Sequence, residues 1–99
     1  MQQRIRALSK HLISTYGSKV QTEKCIEEMA ELTSALLHFK NGRCTKEAVV
    51  TEIADVLFTA AQMAVLFGEE EVTDELLRKI ERTESRVVAT EFKRRYYGD

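Results

Sequence analysis

Glycine occurs only four times in this 99-residue chain, and proline never. With so few backbone breakers, and with Ala, Leu, Glu, Lys and Arg abundant, the chain is driven toward long helices, and its few permissive residues mark where those helices end. Gly17 closes a first segment, Asn41-Gly42 a second and Gly68 a third. In the first segment Ile5, Leu8, Leu12 and Tyr16 recur at helical spacing, which predicts a helix over about 3–16. Ser18 and Gln21 read as an S-x-x-Q capping box, opening a second helix that runs to about Lys40. Thr45 is the expected N-cap of a third helix lasting to about Phe67. The fourth starts at either Glu69 or Thr73 and continues to about Arg95, leaving Tyr96 to Asp99 as a loose tail. Four helices on short connections predict an all-α fold, an antiparallel four-helix bundle formed as a single domain over residues 1–99.

A domain of this size has a thin core, and association with further copies is a common way to supplement it. The formal net charge of −1 argues against a nucleic-acid partner, because such domains are strongly basic. Two cysteines, Cys25 and Cys44, make no disulfide framework. With no signal-peptide pattern at the N-terminus, the expected setting is a reducing cytoplasm. The longest apolar run, Ile53 to Phe67, is interrupted by Asp55, Thr59 and Gln62. It is also shorter than the roughly 20 residues needed to span a bilayer, so the sequence reads as soluble, without membrane association.

The second and third helices carry the informative pattern. On the second, Ile26, Met29, Ala30, Thr33, Leu36 and Leu37 form a wide apolar face, with Glu28 and Glu31 three residues apart and neighbours on the surface. Glu28 lies toward the boundary with Leu32 and Phe39. The third is apolar nearly all round, the mark of a buried helix. Its polar residues, Glu52, Asp55, Thr59 and Gln62, form a narrow strip. A carboxylate on such a helix needs a cation or strong donors. In an antiparallel bundle Glu28 and Glu31 can face Glu52 and Asp55, and four carboxylates so close repel one another. Either protons or metal ions relieve that repulsion. Hard oxygen ligands without His or Cys suit Mg²⁺ or Mn²⁺ better than zinc.

The order E-E-x-x-E then E-x-x-D, here Glu27-Glu28-Met29-Ala30-Glu31 and Glu52-Ile53-Ala54-Asp55, resembles the MazG-like, all-α nucleoside triphosphate pyrophosphohydrolases. The stretch "YGSKVQTEKCIEEMAEL" is similar to the G-x-x-x-Q opening of the short, phage-like members, and "KIER" (Lys79 to Arg82) to their late basic element. The likeness covers residues 16–86. It implies Mg²⁺-dependent hydrolysis of a nucleoside triphosphate (NTP or dNTP) to the monophosphate and pyrophosphate, by in-line attack of a metal-activated water on the α-phosphorus. It also implies that Glu28, Glu31, Glu52 and Asp55 are metal ligands, with Glu27, Glu28 and Glu31 serving catalysis and Glu27 helping to hold a water. A homodimer or homotetramer is implied as well. Lys24, Lys79, Arg82 and Arg86 are the candidates for phosphate contact. Lys79, Arg82 and Arg86 share a helix face, but alternate with Glu75, Glu81 and Glu84 as an ordinary salt-bridged surface does.

Other residues point nowhere in particular. His11 and His38 lie on different helices, and Cys25, His38 and Cys44 lack zinc-ligand spacing. Met29, Phe58, Met63 and Phe67 read as core. Tyr16, Tyr96 and Tyr97 are able to stack on a base, with nothing in the sequence to select among them. There is no glycine-rich phosphate loop. Two other readings are open: a phosphoribosyl-ATP pyrophosphohydrolase, although "ADVLFTAAQM" replaces the tyrosine-histidine signature of that family, and a non-catalytic helical module with an acidic groove.

Overall fold

The computed structural model describes residues 1–98. Among them are four α-helices and no strand: α1 (Gln3–Tyr16), α2 (Ser18–Lys40), α3 (Lys46–Phe67) and α4 (Glu69–Tyr97). The all-α expectation is met, and the breaks fall where the glycines lie. The chain divides into two compact units, Met1–Phe67, which holds α1 to α3, and a second that begins at Gly68 and comprises α4.

Within the first unit α2 and α3 make the most extensive contact, and α1 packs chiefly on α3 and less on α2. The α2–α3 hairpin is tight. The Asn41 amide donates to the Leu37 and His38 carbonyls, and Gly42 (φ 70°) supplies the left-handed step. The Cys44 thiol reaches back to the Ala35 carbonyl at 3.3 Å. Thr45 caps α3 as expected, its hydroxyl accepting from the Ala48 amide at 3.2 Å. The capping box at α2 does not form. Gly17 is the cap, without a side-chain hydrogen bond; Ser18 is already helical and Gln21 turns inward.

The inner faces differ from the expected ones. On α2 the stripe turned inward is Gln21, Cys25, Glu28, Leu32 and Ala35, spaced four and three. The face assigned to the core from the sequence, Ile26, Met29, Leu36 and Leu37, is exposed, Ile26 to 57%. On α3 the polar strip faces inward, with Thr59 and Gln62 buried and Glu52 and Asp55 half-buried, whereas Ile53, Leu57 and Phe67 are exposed. Met29 and Phe67 are therefore not core, and Phe58 and Met63 are half-buried. On α1, Ser9 is fully buried beside half-buried Ile5 and Leu12, while Leu8 and Tyr16 are exposed. The physical reason is that a helix apolar nearly all round has two faces to cover. Small and polar residues let these three helices approach one another, and the larger apolar side chains lie on the opposite faces.

At 22 residues, α3 is long and apolar enough to cross a membrane by length and composition, so the sequence argument from length does not hold. In the second unit α4 starts at Glu69, where three consecutive acids suit the helix N-terminus. Thr73 is not a cap; its hydroxyl donates to the Glu69 carbonyl at 2.8 Å. The expected loose tail is helical through Tyr97, with the Phe92 ring 4.5 Å from that of Tyr96. Asp99 lies outside the described residues. No residue of α4 is buried.

Candidate metal and substrate site

Because α2 and α3 run antiparallel from a short hairpin, residues whose numbers sum to about 80 come opposite one another. Ala35 meets Cys44 near the turn, and one helical stretch further along Glu28 meets Glu52. One carboxylate oxygen each from Glu28, Glu31 and Glu52 lies within 4.8 Å of the other two. Of these residues Glu28 is buried, with 8% of its surface exposed, Glu52 is half-buried and Glu31 is exposed. The cluster therefore opens on the Glu31 side.

The electrostatics follow from that placement. Burial pushes the Glu28 carboxyl above its ordinary value of 4.5, and the charges of Glu31 and Asp55 push it further, against the opposing pull of Lys24. Glu52 is raised by burial first and then by Glu31 and Asp55. Glu28 and Glu52 each gain a hydrogen bond with Glu31 when one partner carries a proton. Glu28 Oε2 and Glu52 Oε2 are buried with no hydrogen-bond partner among the described residues. Buried carboxylate oxygens without donors are expensive. Converging hard oxygens with free lone pairs fit a divalent cation of the Mg²⁺ or Mn²⁺ type.

Asp55 stands outside the 4.8 Å set, one turn along α3 from Glu52, yet near enough for its charge to act on both buried acids. Glu27 is exposed on α2. Lys24 lies one turn before Glu28 and pairs with it, Nζ to Oε1 at 3.8 Å. Lys79, Arg82 and Arg86 lie on α4, in the second unit, all exposed. Their helix shows the salt-bridged character read from the sequence: the Arg78 guanidinium bonds Glu75 and holds that carboxyl below its ordinary value.

Next to the acids is a cavity of about 290 Å³ that draws on all three helices of the first unit. Glu28 and Asp55 form part of its lining, together with Lys24, Gln21, Gln62 and Tyr16. Leu12, Phe58 and Thr59 complete it. Sequence reasoning gave no role to Gln62 or Thr59, although both continue the strip begun by Glu52 and Asp55 at helical spacing. Gln21 was visible only as a capping residue and as part of the G-x-x-x-Q pattern. The Thr59 hydroxyl is satisfied within its own helix, donating to the Asp55 carbonyl at 2.9 Å.

No family model, curated protein or solved structure matches this chain.

Proposed function

We propose that this chain is a Mg²⁺-dependent pyrophosphohydrolase that converts a nucleoside triphosphate to the monophosphate and pyrophosphate. The observation that carries the reading is the convergence of Glu28, Glu31 and Glu52 within 4.8 Å, with buried oxygens of Glu28 and Glu52 left without donors. The resemblance of Glu27–Glu31 and Glu52–Asp55 to the MazG-like acid pattern supports the choice of reaction. Glu28, Glu31, Glu52 and Asp55 would hold the metal, with Mn²⁺ as an acceptable substitute. Held there, Mg²⁺ would supply charge neutralisation on the phosphates and activation of a water for in-line attack on the α-phosphorus.

The chain's own groups do the rest. A carboxylate of the cluster accepts the proton released from the attacking water. Lys24, already beside Glu28, is placed to meet a phosphate oxygen. Glu27 assists by holding water. The exposed apolar faces of α2 and α3 support a homodimer or homotetramer, and the two unpaired cysteines are consistent with a cytoplasmic setting.

The test is pyrophosphate release from mixed NTPs and dNTPs with Mg²⁺. Wild type yields pyrophosphate and the monophosphate, and Glu31→Gln or Asp55→Asn lowers kcat/KM by at least about 100-fold, on the scale of perturbed metal ligation. Wild type as inert as both variants on every nucleotide would remove the enzyme reading and favour a non-catalytic acidic groove.

A further inference from the structure

The hydrolytic chemistry uses Glu28, Asp55 and Lys24 of the 290 Å³ cavity; Gln21 and Gln62 lie about two turns from Glu28 and Asp55 along α2 and α3, toward its other end. Its remaining lining is of another kind. Tyr16 and Phe58 bring aromatic rings, and Gln21 and Gln62 bring primary carboxamides. Gln62 is 98% buried, and its Oε1 has no hydrogen-bond partner among the described residues. A buried amide oxygen without a donor is rare and marks a place where a partner is missing. It does not belong to the carboxylate cluster, and nothing in the proposed reaction needs it.

We propose that this part of the cavity holds the nucleobase and that Gln62 reads the base edge; the ligand class rests on the pyrophosphohydrolase reading. The chemistry of the lining selects a base over the other parts of a nucleotide. A phosphate is disfavoured there, because Tyr16, Phe58, Gln21 and Gln62 bring no cation; Lys24 belongs to the end that carries Glu28. A ribose needs several polar partners and has no flat face to set against the rings of Tyr16 and Phe58. A base has such a face, and aromatic side chains commonly take it. Each carboxamide offers one acceptor and two donors, which matches a base edge where an N–H stands next to an acceptor. A turn of the Gln62 carboxamide, whose oxygen is closed to solvent as the side chain stands, lets it receive that N–H, and Gln21 is the second amide within the lining. The acids at the other end place the phosphates beside the ions, so one nucleotide spans both halves.

The experiment separates this inference from the reaction. Metal-free protein in EDTA is titrated with adenosine, guanosine, cytidine, uridine and thymidine, which carry no phosphate. The readout is the ¹H–¹⁵N signal of the Gln62 side-chain amide, assigned in the wild type by through-bond correlation to its own backbone. At least one nucleoside should shift that signal, and Gln62→Leu should weaken the same nucleoside about 10-fold, the scale of one lost hydrogen bond, with Mn²⁺ binding unchanged. If no nucleoside moves the signal, or Gln62→Leu binds as wild type does, the base pocket is wrong. The wild-type titration decides this even where the variant fails to fold. Nucleoside binding without pyrophosphate release upholds the pocket and overturns the hydrolase; release without any response at Gln62 does the reverse.

Discussion

Glu28 and Glu52 are acids held where an ionised carboxylate is disfavoured, and the direction of their pKa shifts fixes how the metal-free protein responds to pH. Both are raised above 4.5 in the folded chain, by burial and by the charges of Glu31 and Asp55. A group raised on folding binds more protons in the native state than in the unfolded one, so stability falls as pH rises through its folded pKa. Metal-free protein should therefore melt at a higher temperature as pH is lowered from neutral toward 4.5. Glu52→Gln, which keeps the shape and removes the charge, should melt higher than wild type at neutral pH and show a flatter profile. If the cluster takes Mg²⁺ as proposed, the ion relieves the same repulsion without protons and only in the folded chain. It should raise the melting temperature most at neutral pH and progressively less toward 4.5, because protons compete for the same oxygens. Differential scanning calorimetry with and without Mg²⁺ at several pH values checks this. A metal-free melting temperature that falls steadily on acidification over that range, with Glu52→Gln parallel to wild type, would mean that these acids are not strained by one another.

At the scale of helices, Gly17 is where sequence and backbone constrain each other most. Its φ of 92° and ψ of 155° lie in a region that is essentially glycine's alone. It also joins α1 to α2, its amide donating to the Ile13 carbonyl at 2.8 Å and its carbonyl accepting from the Gln21 amide at 3.2 Å. A Cβ at Gly17 meets nothing within 4 Å, so Gly17→Ala carries a backbone penalty without a clash. Denaturant titration should show a loss of about 1–3 kcal/mol, and a loss below a few tenths would show that the joint relaxes. The glycines were legible in the sequence as helix ends because no other residue tolerates such backbone. Thr45 was legible as a cap because its hydroxyl sits three residues before the amide it serves. The acid cluster was legible because E-x-x-E and E-x-x-D place carboxylates on neighbouring turns of facing helices. The inward faces were not. Ile26, Met29 and Leu57 read as core on hydropathy alone, and hydropathy does not say whether a covering surface comes from the same chain. Gln62 was hidden for a related reason: a glutamine on an apolar helix has no motif, and its unpartnered oxygen appears only once the helices are packed.

For the molecule as a whole, the apolar outer faces of α2 and α3 set the strongest demand. Leu57 is 66% exposed, and Ile26, Met29, Leu36 and Leu37 on α2 are close to half or more exposed. The long α4 adds Leu76, Leu77, Ile80 and Val87, all exposed, and an amphipathic helix gains most of its stability from covering such a row. Lipid is one conceivable cover for α3, but α2 packs along it and exposes Glu23, Lys24, Glu27 and Glu31, charges that a hydrocarbon interior penalises. A second copy of the chain presents the same apolar faces and demands no such burial of charge. Sedimentation velocity at micromolar concentration should therefore give a dimer or tetramer in detergent-free buffer. Leu57→Asp leaves the contacts among α1, α2 and α3 in place, because Leu57 is turned away from them. It should shift the population toward single chains, with helical content by circular dichroism largely kept in α1 to α3. Wild type sedimenting as one chain without aggregation, or Leu57→Asp sedimenting as wild type does, would show that these faces meet something other than another copy.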